Sequence, residues 1–156
     1  MWATRRAHVL ALVASVMGAA GCGEHPSSTY ATYADAVAAG SVARGWIPVW
    51  VPVEAVNIRE IHDLDTNEVC IRFELPNAAR VALLEPMHKL PAEGIEVLPA
   101  SCSLRPGWWF EGLIQQQPAN DGALYADVFE AAGASTDAAL LVAADSRGPS
   151  IYIWSR

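Results

Sequence analysis

The chain is short of positive charge. It contains 10 Lys and Arg residues against 17 Asp and Glu residues, and its formal net charge is −7 at pH 7. The basic residues are scattered, and two of them, Arg5 and Arg6, lie near the N-terminus. Nucleic acids and anionic lipid surfaces attract clusters of positive charge. We therefore predict no nucleic-acid partner and no purely electrostatic attachment to a membrane.

The chain also lacks an apolar run of the roughly 20 residues that a membrane-spanning helix needs. Its longest uncharged apolar run, residues 9–20, follows Arg5 and Arg6, and this combination is typical of a secretory signal. We predict a signal peptide over residues 1–21. Cleavage after this segment makes Cys22 the new N-terminus.

The cleavage point resembles the lipobox of bacterial lipoproteins, in which the cysteine becomes acylated. Residues 19–22 read Ala-Ala-Gly-Cys, although leucine is more usual where Ala19 stands. The resemblance implies that palmitate-type chains on Cys22 anchor the protein to a membrane, with residues 22–29 as a lipidated tether. Because Gly23 replaces the aspartate that favours the inner membrane, we expect an outer-membrane protein of the cell envelope that faces the periplasm. Cleavage as an ordinary secreted protein is the alternative.

Cysteine is scarce as well, with three residues in the chain. If Cys22 carries lipid, Cys70 and Cys102 remain as a pair in an oxidising compartment. We predict a disulfide between them, which would close a loop of about 33 residues and stabilise the fold by about 3 to 4 kcal/mol. Two free buried thiols are the alternative.

The mature chain has the size of one domain, which we place at residues 30–156. Two alternating runs around residues 63–67 predict a β-hairpin. The remaining pattern predicts two helices, over residues 30–40 and 78–85, and an extended proline-containing segment over residues 44–53. It also predicts single strands over residues 94–104 and 123–131 and a closing hairpin over residues 137–155. We therefore expect an α+β domain, in which an antiparallel β-sheet of about five strands carries two or three short helices on one face.

A further pattern lies in residues 44–75. Its members are Gly45, Trp46, Ile47, Pro48, Pro52, Ala55, Ile58 and the run Asp63-Leu64-Asp65-Thr66-Asn67. These residues resemble a family of small uncharacterised bacterial lipoproteins, with weaker similarity at Trp108-Trp109 and at residues 152–154. The family has no assigned activity. The resemblance therefore supports export and the expected fold without adding a mechanism.

Motifs for catalysis are also missing, since the sequence has no nucleophile elbow, zinc-binding histidine pair or glycine-rich phosphate loop. His62 beside Asp63 or Asp65 is the candidate for a base with an orienting carboxylate, as in a small envelope hydrolase. Adjacent residues of a strand face opposite sides, however, which weakens this hypothesis.

The same turn has part of the spacing of a calcium loop. Asp63, Asp65, Asn67 and Glu74 stand at ligand positions, but Glu68 occupies the position that needs glycine. We prefer a solvated turn whose side chains accept hydrogen bonds from their own backbone. No metal and no cofactor are expected.

Five of the six tryptophans follow the leader. Packing is the first explanation for them, since each buries a large apolar area. The alternative is an exposed binding patch at Trp108 and Trp109, because aromatic side chains dominate binding hot spots. The function we expect is a non-catalytic binding or scaffolding lipoprotein that engages another envelope protein or a cell-wall component.

Overall fold

The computed structural model describes residues 25–91, 102, 104, 106–109, 126–131 and 140–155. The predicted signal peptide, Cys22 and most of the expected strand over 94–104 lie outside these residues. Within the described part of the chain, none of the helices has the length and apolarity needed to cross a membrane.

The described residues form one antiparallel sheet of seven strands with two short helices. The elements in chain order are β1 (Ser27–Thr32), α1 (Tyr33–Ala38), β2 (Val56–His62), β3 (Val69–Glu74), α2 (Asn77–Leu84), β4 (His88–Lys89), β5 (Ala126–Ala131), β6 (Leu140–Asp145) and β7 (Ser150–Ser155). Their order across the sheet is β1-β2-β3-β7-β6-β5-β4. Two antiparallel meanders, β1 to β3 and β4 to β7, therefore join where β3 pairs with β7.

The expected α+β class, with about five strands and two or three helices, is wrong because the fold is mainly β. The two described helices span only 6 and 8 residues. Part of the expected first helix is strand, since residues 30–32 pair with β2 and α1 begins only at Tyr33. The helical spacing is a local preference, whereas pairing with β2 satisfies the backbone of the whole segment. Strand β1 begins at Ser27, so the last residues of the expected tether belong to the sheet.

The bounds of α1 follow from its end residues. The Oγ1 of Thr32 accepts the Asp35 amide at 3.2 Å, and the Asp35 carboxylate accepts the Thr32 amide at 3.0 Å, which forms a capping box. Gly40 has a φ of 77°, a conformation that ends helices and favours glycine. Helix α1 therefore ends two residues before Gly40, close to the C-terminal bound predicted for the helix over residues 30–40.

Residues 44–53 form turns instead of the expected extended segment. The carbonyls of Pro48 and Pro52 each accept the amide of the third residue that follows, so each proline begins a tight turn. Val49 and Val53 are consequently exposed. In an extended segment, the apolar residues of this sequence would lie on both sides, which predicts that both sides are covered. The exposure of Val49 and Val53 contradicts this prediction.

Both predicted hairpins are confirmed, since β2 pairs with β3 and β6 pairs with β7 in antiparallel register. In β3, Ile71 and Phe73 lie on one side and Cys70 on the other, as the alternation predicts. The second predicted helix is present as α2. Asn77, which directly precedes the predicted helix over residues 78–85 and is of a residue type that favours the N-cap, would be expected to cap it. This expectation is wrong, because Asn77 lies within the helix and the N-cap is Pro76, which makes no side-chain cap hydrogen bond.

The sheet buries apolar side chains on both of its faces. We call them the helix face and the disulfide face. The helix face, which α1, α2 and the turns of residues 39–55 cover, includes Ile58, Ile71, Phe73, Val142, Ile151 and Ile153. The disulfide face includes Cys70, Val128, Leu141, Ala143, Tyr152 and Trp154. Strand β6 is buried at every position, because it lies in the middle of both layers.

The cover of the disulfide face includes Cys102, Leu104, Trp108 and Trp109. The sulfur atoms of Cys70 and Cys102 are 1.97 Å apart, which is a disulfide-bond distance, and their Cα atoms are 5.7 Å apart. Trp109 packs edge-on against Tyr152 and Trp154, with ring centroids 5.2 and 5.8 Å away. This segment therefore contacts the centre of the sheet through a cysteine and an aromatic ring.

Candidate functional site

The helix face carries an open groove of about 500 Å³. Its lining residues come from the turn segment, from α2 and the turn after it, and from β5: Trp50, Pro52, Glu54, Ala79, Ala82, Leu83, Pro86, Met87, Glu130 and Ala131. Most of them are apolar. The volume lies in the range of about 300 to 1,000 Å³ that is typical of ligand sites.

Trp50 is the aromatic residue of this lining. Its indole Nε1 is buried, and no described residue accepts a hydrogen bond from it. An indole N–H can only donate, and a buried donor without a partner costs about 1 to 3 kcal/mol. An acceptor supplied by a bound molecule would remove this cost.

Glu54 adds a carboxylate to the turn side of the groove, and it is exposed to solvent. Val53, which stands between the lining residues Pro52 and Glu54, is 73% exposed. Exposed apolar surface therefore adjoins the groove on its turn side.

A second polar feature of the helix face lies within β2. Glu60 and His62 occupy alternate positions and point to the same side as Ile58. The Oε2 of Glu60 and the Nδ1 of His62 are 2.9 Å apart, and the side chains are 0% and 4% exposed. The Oε1 of Glu60 and the Nε2 of His62 are buried without a hydrogen-bond partner in the described part of the chain.

This pair is covered from the solvent side by two stacked side chains. The ring of Trp46 lies 4.0 Å from that of His62, at an angle of 26° between the planes. The guanidinium carbon of Arg44 lies 4.1 Å from the Trp46 ring centroid, in a cation–π contact. The stack therefore runs inward from Arg44 through Trp46 and His62 to Glu60. It ties the turn segment to β2 and covers the imidazole.

The structure does not bring His62 together with Asp63 or Asp65. The Oδ1 of Asp63 instead accepts the amides of Asp65 and Thr66, at 2.7 and 3.0 Å. The backbone hydrogen bonds from Thr66 and Asp65 hold the pKa of Asp63 below its usual value. The predicted turn is thereby confirmed, and the histidine–aspartate arrangement of the hydrolase hypothesis is not formed.

The calcium spacing is not realised either. Glu74 lies at the far end of β3, where it accepts hydrogen bonds from Asn57 and Arg72 at 2.9 and 3.1 Å. Among the residues that the structure describes, no group of three or more His, Cys, Asp or Glu side chains could hold a metal ion.

The two adjacent tryptophans have different environments. Trp109 is only 8% exposed and belongs to the core of the disulfide face, whereas Trp108 is partly buried. Their ring centroids are 6.0 Å apart. A binding patch at this place would have Trp108 as its accessible aromatic residue.

Sequence reasoning missed both Glu60 and the groove. Glu60 could have been found, because it stands between Ile58 and His62 on the inward side of an alternating strand, where a carboxylate is unusual. The groove has no comparable signal. Its walls come from the turn segment, α2 and β5, and no local pattern shows that these segments meet.

Comparison with known families gives one match. Residues 24–74 match the family described as the YbbD head domain. This stretch is less than half of the chain and includes β1 to β3, the Arg44 to Glu60 stack and the turn side of the groove, but not α2. The match supports a relation to a small bacterial family, and its description names a domain without an activity. Neither the curated proteins nor the solved structures give a match.

Proposed function

We propose that the chain is a non-catalytic binding module of the bacterial cell envelope and that its binding site is the groove between α2 and residues 50–54. The groove itself carries this proposal, since it is preformed, has the volume of a ligand site and is mainly apolar. Apolar lining supplies affinity in such sites, and a few polar groups orient the ligand. Trp50 and Glu54, the polar side chains on the turn side of the groove, would do so here.

Binding agrees better with this geometry than catalysis does. A catalytic base must reach the proton that it abstracts. The Nε2 of His62 is buried, and the ring lies beneath Trp46. The Nδ1 of His62 is engaged with Glu60. The stack therefore supports a structural role for His62.

The proposal includes a lipid anchor on Cys22 in the outer membrane, with the domain in the periplasm. The lipobox-like residues 19–22 support the anchor. Because β1 begins at Ser27, four residues would connect the lipidated cysteine to the sheet. A flexible linker of that length spans about 10 to 12 Å. The module would therefore work close to the lipid surface.

Binding in the groove is tested with 1-octanol as an apolar probe. The measurement is the NMR chemical shift of the indole N–H of Trp50. We expect 1-octanol to shift this resonance in the natural protein and in Val81→Arg, but not in Ala82→Arg. Both variants add the same side chain to α2, but Ala82 lines the groove and Val81 does not. The comparison therefore isolates the effect of blocking the groove. An equal response in the two arginine variants would remove the groove as the site.

The anchor is tested separately by labelling host cells with radioactive palmitate. We expect the natural protein to be labelled and to fractionate with the outer membrane, and Cys22→Ala to be unlabelled and released from membranes. An unlabelled natural protein would refute the anchor and leave the binding proposal intact.

A further inference from the structure

Apolar surface extends outward from the groove. Val53 stands between the lining residues Pro52 and Glu54 and is exposed by 73%. Exposed apolar surface next to a pocket is typical of contact with another protein. The occupant should therefore cover the rim as well as fill the groove.

The two polar side chains on the turn side of the groove make complementary demands. The Nε1 of Trp50 has no acceptor among the described residues, and the carboxylate of Glu54 can accept from a donor. A polypeptide provides both, because each residue other than proline carries a carbonyl and an N–H. A fatty acid fits less well, since its own carboxylate would lie near Glu54.

The negative charge of the chain narrows the class of ligand further. The chain has a net charge of −7 before removal of the leader, and loss of Arg5 and Arg6 would make it more negative. A negative field attracts cationic partners and repels anionic ones. The carboxylate of Glu54 provides a local partner for a lysine or arginine at the mouth of the groove.

We infer that the groove binds an apolar segment of another envelope protein in which a lysine or arginine accompanies the apolar side chains. The apolar side chain would enter the groove, a backbone carbonyl would accept from Trp50, and the cation would pair with Glu54. This inference rests on the proposed function, because it names the ligand class of the same groove.

The test uses the protein expressed from the full chain and three acetylated peptides of equal length. The first alternates leucine with lysine, the second leucine with glutamate, and the third serine with lysine. We expect the leucine–lysine peptide to shift the Trp50 indole resonance and to bind about fivefold more tightly than the leucine–glutamate peptide, the size expected when an exposed charge pair changes sign. The serine–lysine peptide should not shift the resonance.

Two charge variants identify the residue responsible. Glu54→Gln should abolish most of the preference for lysine over glutamate, while Glu85→Gln should keep it. Glu85 is a suitable control because it is exposed and close in sequence to the groove residue Pro86 but does not line the groove. An equal loss of preference in both variants would overturn the role of Glu54.

The outcomes separate this inference from the proposed function. If 1-octanol shifts the Trp50 resonance but none of the peptides does, the groove binds apolar ligands and the peptide inference is refuted. Equal binding of the lysine and glutamate peptides refutes the cationic ligand alone. If neither 1-octanol nor any peptide changes the resonance, both proposals fail.

Discussion

The two faces of the sheet are covered by different means. The disulfide face is covered by residues that include Cys102, Leu104, Trp108 and Trp109. Cys102 contacts Cys70, and the ring of Trp109 packs against two further aromatic rings. The helix face is covered by two short helices and by proline-initiated turns. Its apolar layer is interrupted by Glu60 and His62, and its cover leaves the groove open.

This difference indicates where stability and binding are concentrated. Aromatic packing and a cross-link favour one fixed arrangement of the disulfide face. On the helix face, a buried polar pair adds little stability relative to an apolar pair, and the side chains that line an open groove are packed on one side only. The features that cost stability therefore lie on the face that we propose to bind a ligand. The following predictions test this division.

The largest effect is expected on the disulfide face. Replacing Cys70 and Cys102 together by serine should lower the free energy of unfolding by about 3 to 4 kcal/mol, because the cross-linked loop no longer restricts the unfolded chain. The two residues are separated by 32 positions. Urea denaturation of the oxidised protein and of the double variant gives the difference.

The groove supplies the internal control for this variant. Under native conditions, 1-octanol should still shift the Trp50 resonance, since the cysteines lie on the opposite face. If the natural protein and the double serine variant have the same unfolding free energy within error, no bond forms between the two sulfurs.

The next effect is expected for the buried pair on the helix face. Glu60→Ala should lower the free energy of unfolding by about 1 to 3 kcal/mol, because the buried Nδ1 of His62 loses its partner. Replacing both Glu60 and His62 by leucine should cost less than the single change or even stabilise the protein, since no buried polar group is then left unpaired. Chemical denaturation measures both variants. A double variant less stable than Glu60→Ala would show that the pair stabilises the fold.

Several parts of this fold follow from local sequence. The hairpin turn at residues 63–67 is one of them, because Asp63 bonds the backbone of the residues that follow it. Strands β3 and β7 are others, since the alternation of β3 and the apolar run of β7 are visible in their sequences. Gly40 marks the end of α1 for a local reason as well, because glycine readily adopts the positive φ found there.

Other parts depend on contacts between distant segments. Residues 30–32 have helical spacing but form strand, because β2 provides hydrogen bonds that no local pattern shows. The return of β7 to pair with β3 is equally non-local, since the chain passes through α2 and three strands in between. His62 was correctly singled out, but its partner is Glu60 and not Asp63, because alternation sets the face that each side chain occupies.

A smaller difference is expected when one tryptophan on each face becomes phenylalanine. Trp50→Phe should change the free energy of unfolding by less than about 1 kcal/mol, because it removes a buried donor that has no acceptor among the described residues. Trp154→Phe should destabilise the protein by more than Trp50→Phe, since Trp154 is only 1% exposed and packs against Trp109. Thermal and urea unfolding provide the comparison. Equal losses at both positions would contradict the division between the faces.

The smallest effect is expected at Asp145, the last residue of β6. Burial alone would raise the pKa of this carboxyl, but the hydrogen bonds from the side chain and amide of Arg147 outweigh it, so the pKa is lowered. A carboxylate with a lowered pKa stabilises the fold above its unfolded value of about 3.9, and this contribution is lost as the pH falls through the folded value. Asp145→Asn should therefore destabilise the protein at pH 7 by less than about 1 kcal/mol, the size of a partly exposed ion pair, with the difference vanishing in acid. Urea titrations at pH 7 and at pH 3 test both statements, and a difference that grows toward pH 3 would contradict the assigned direction.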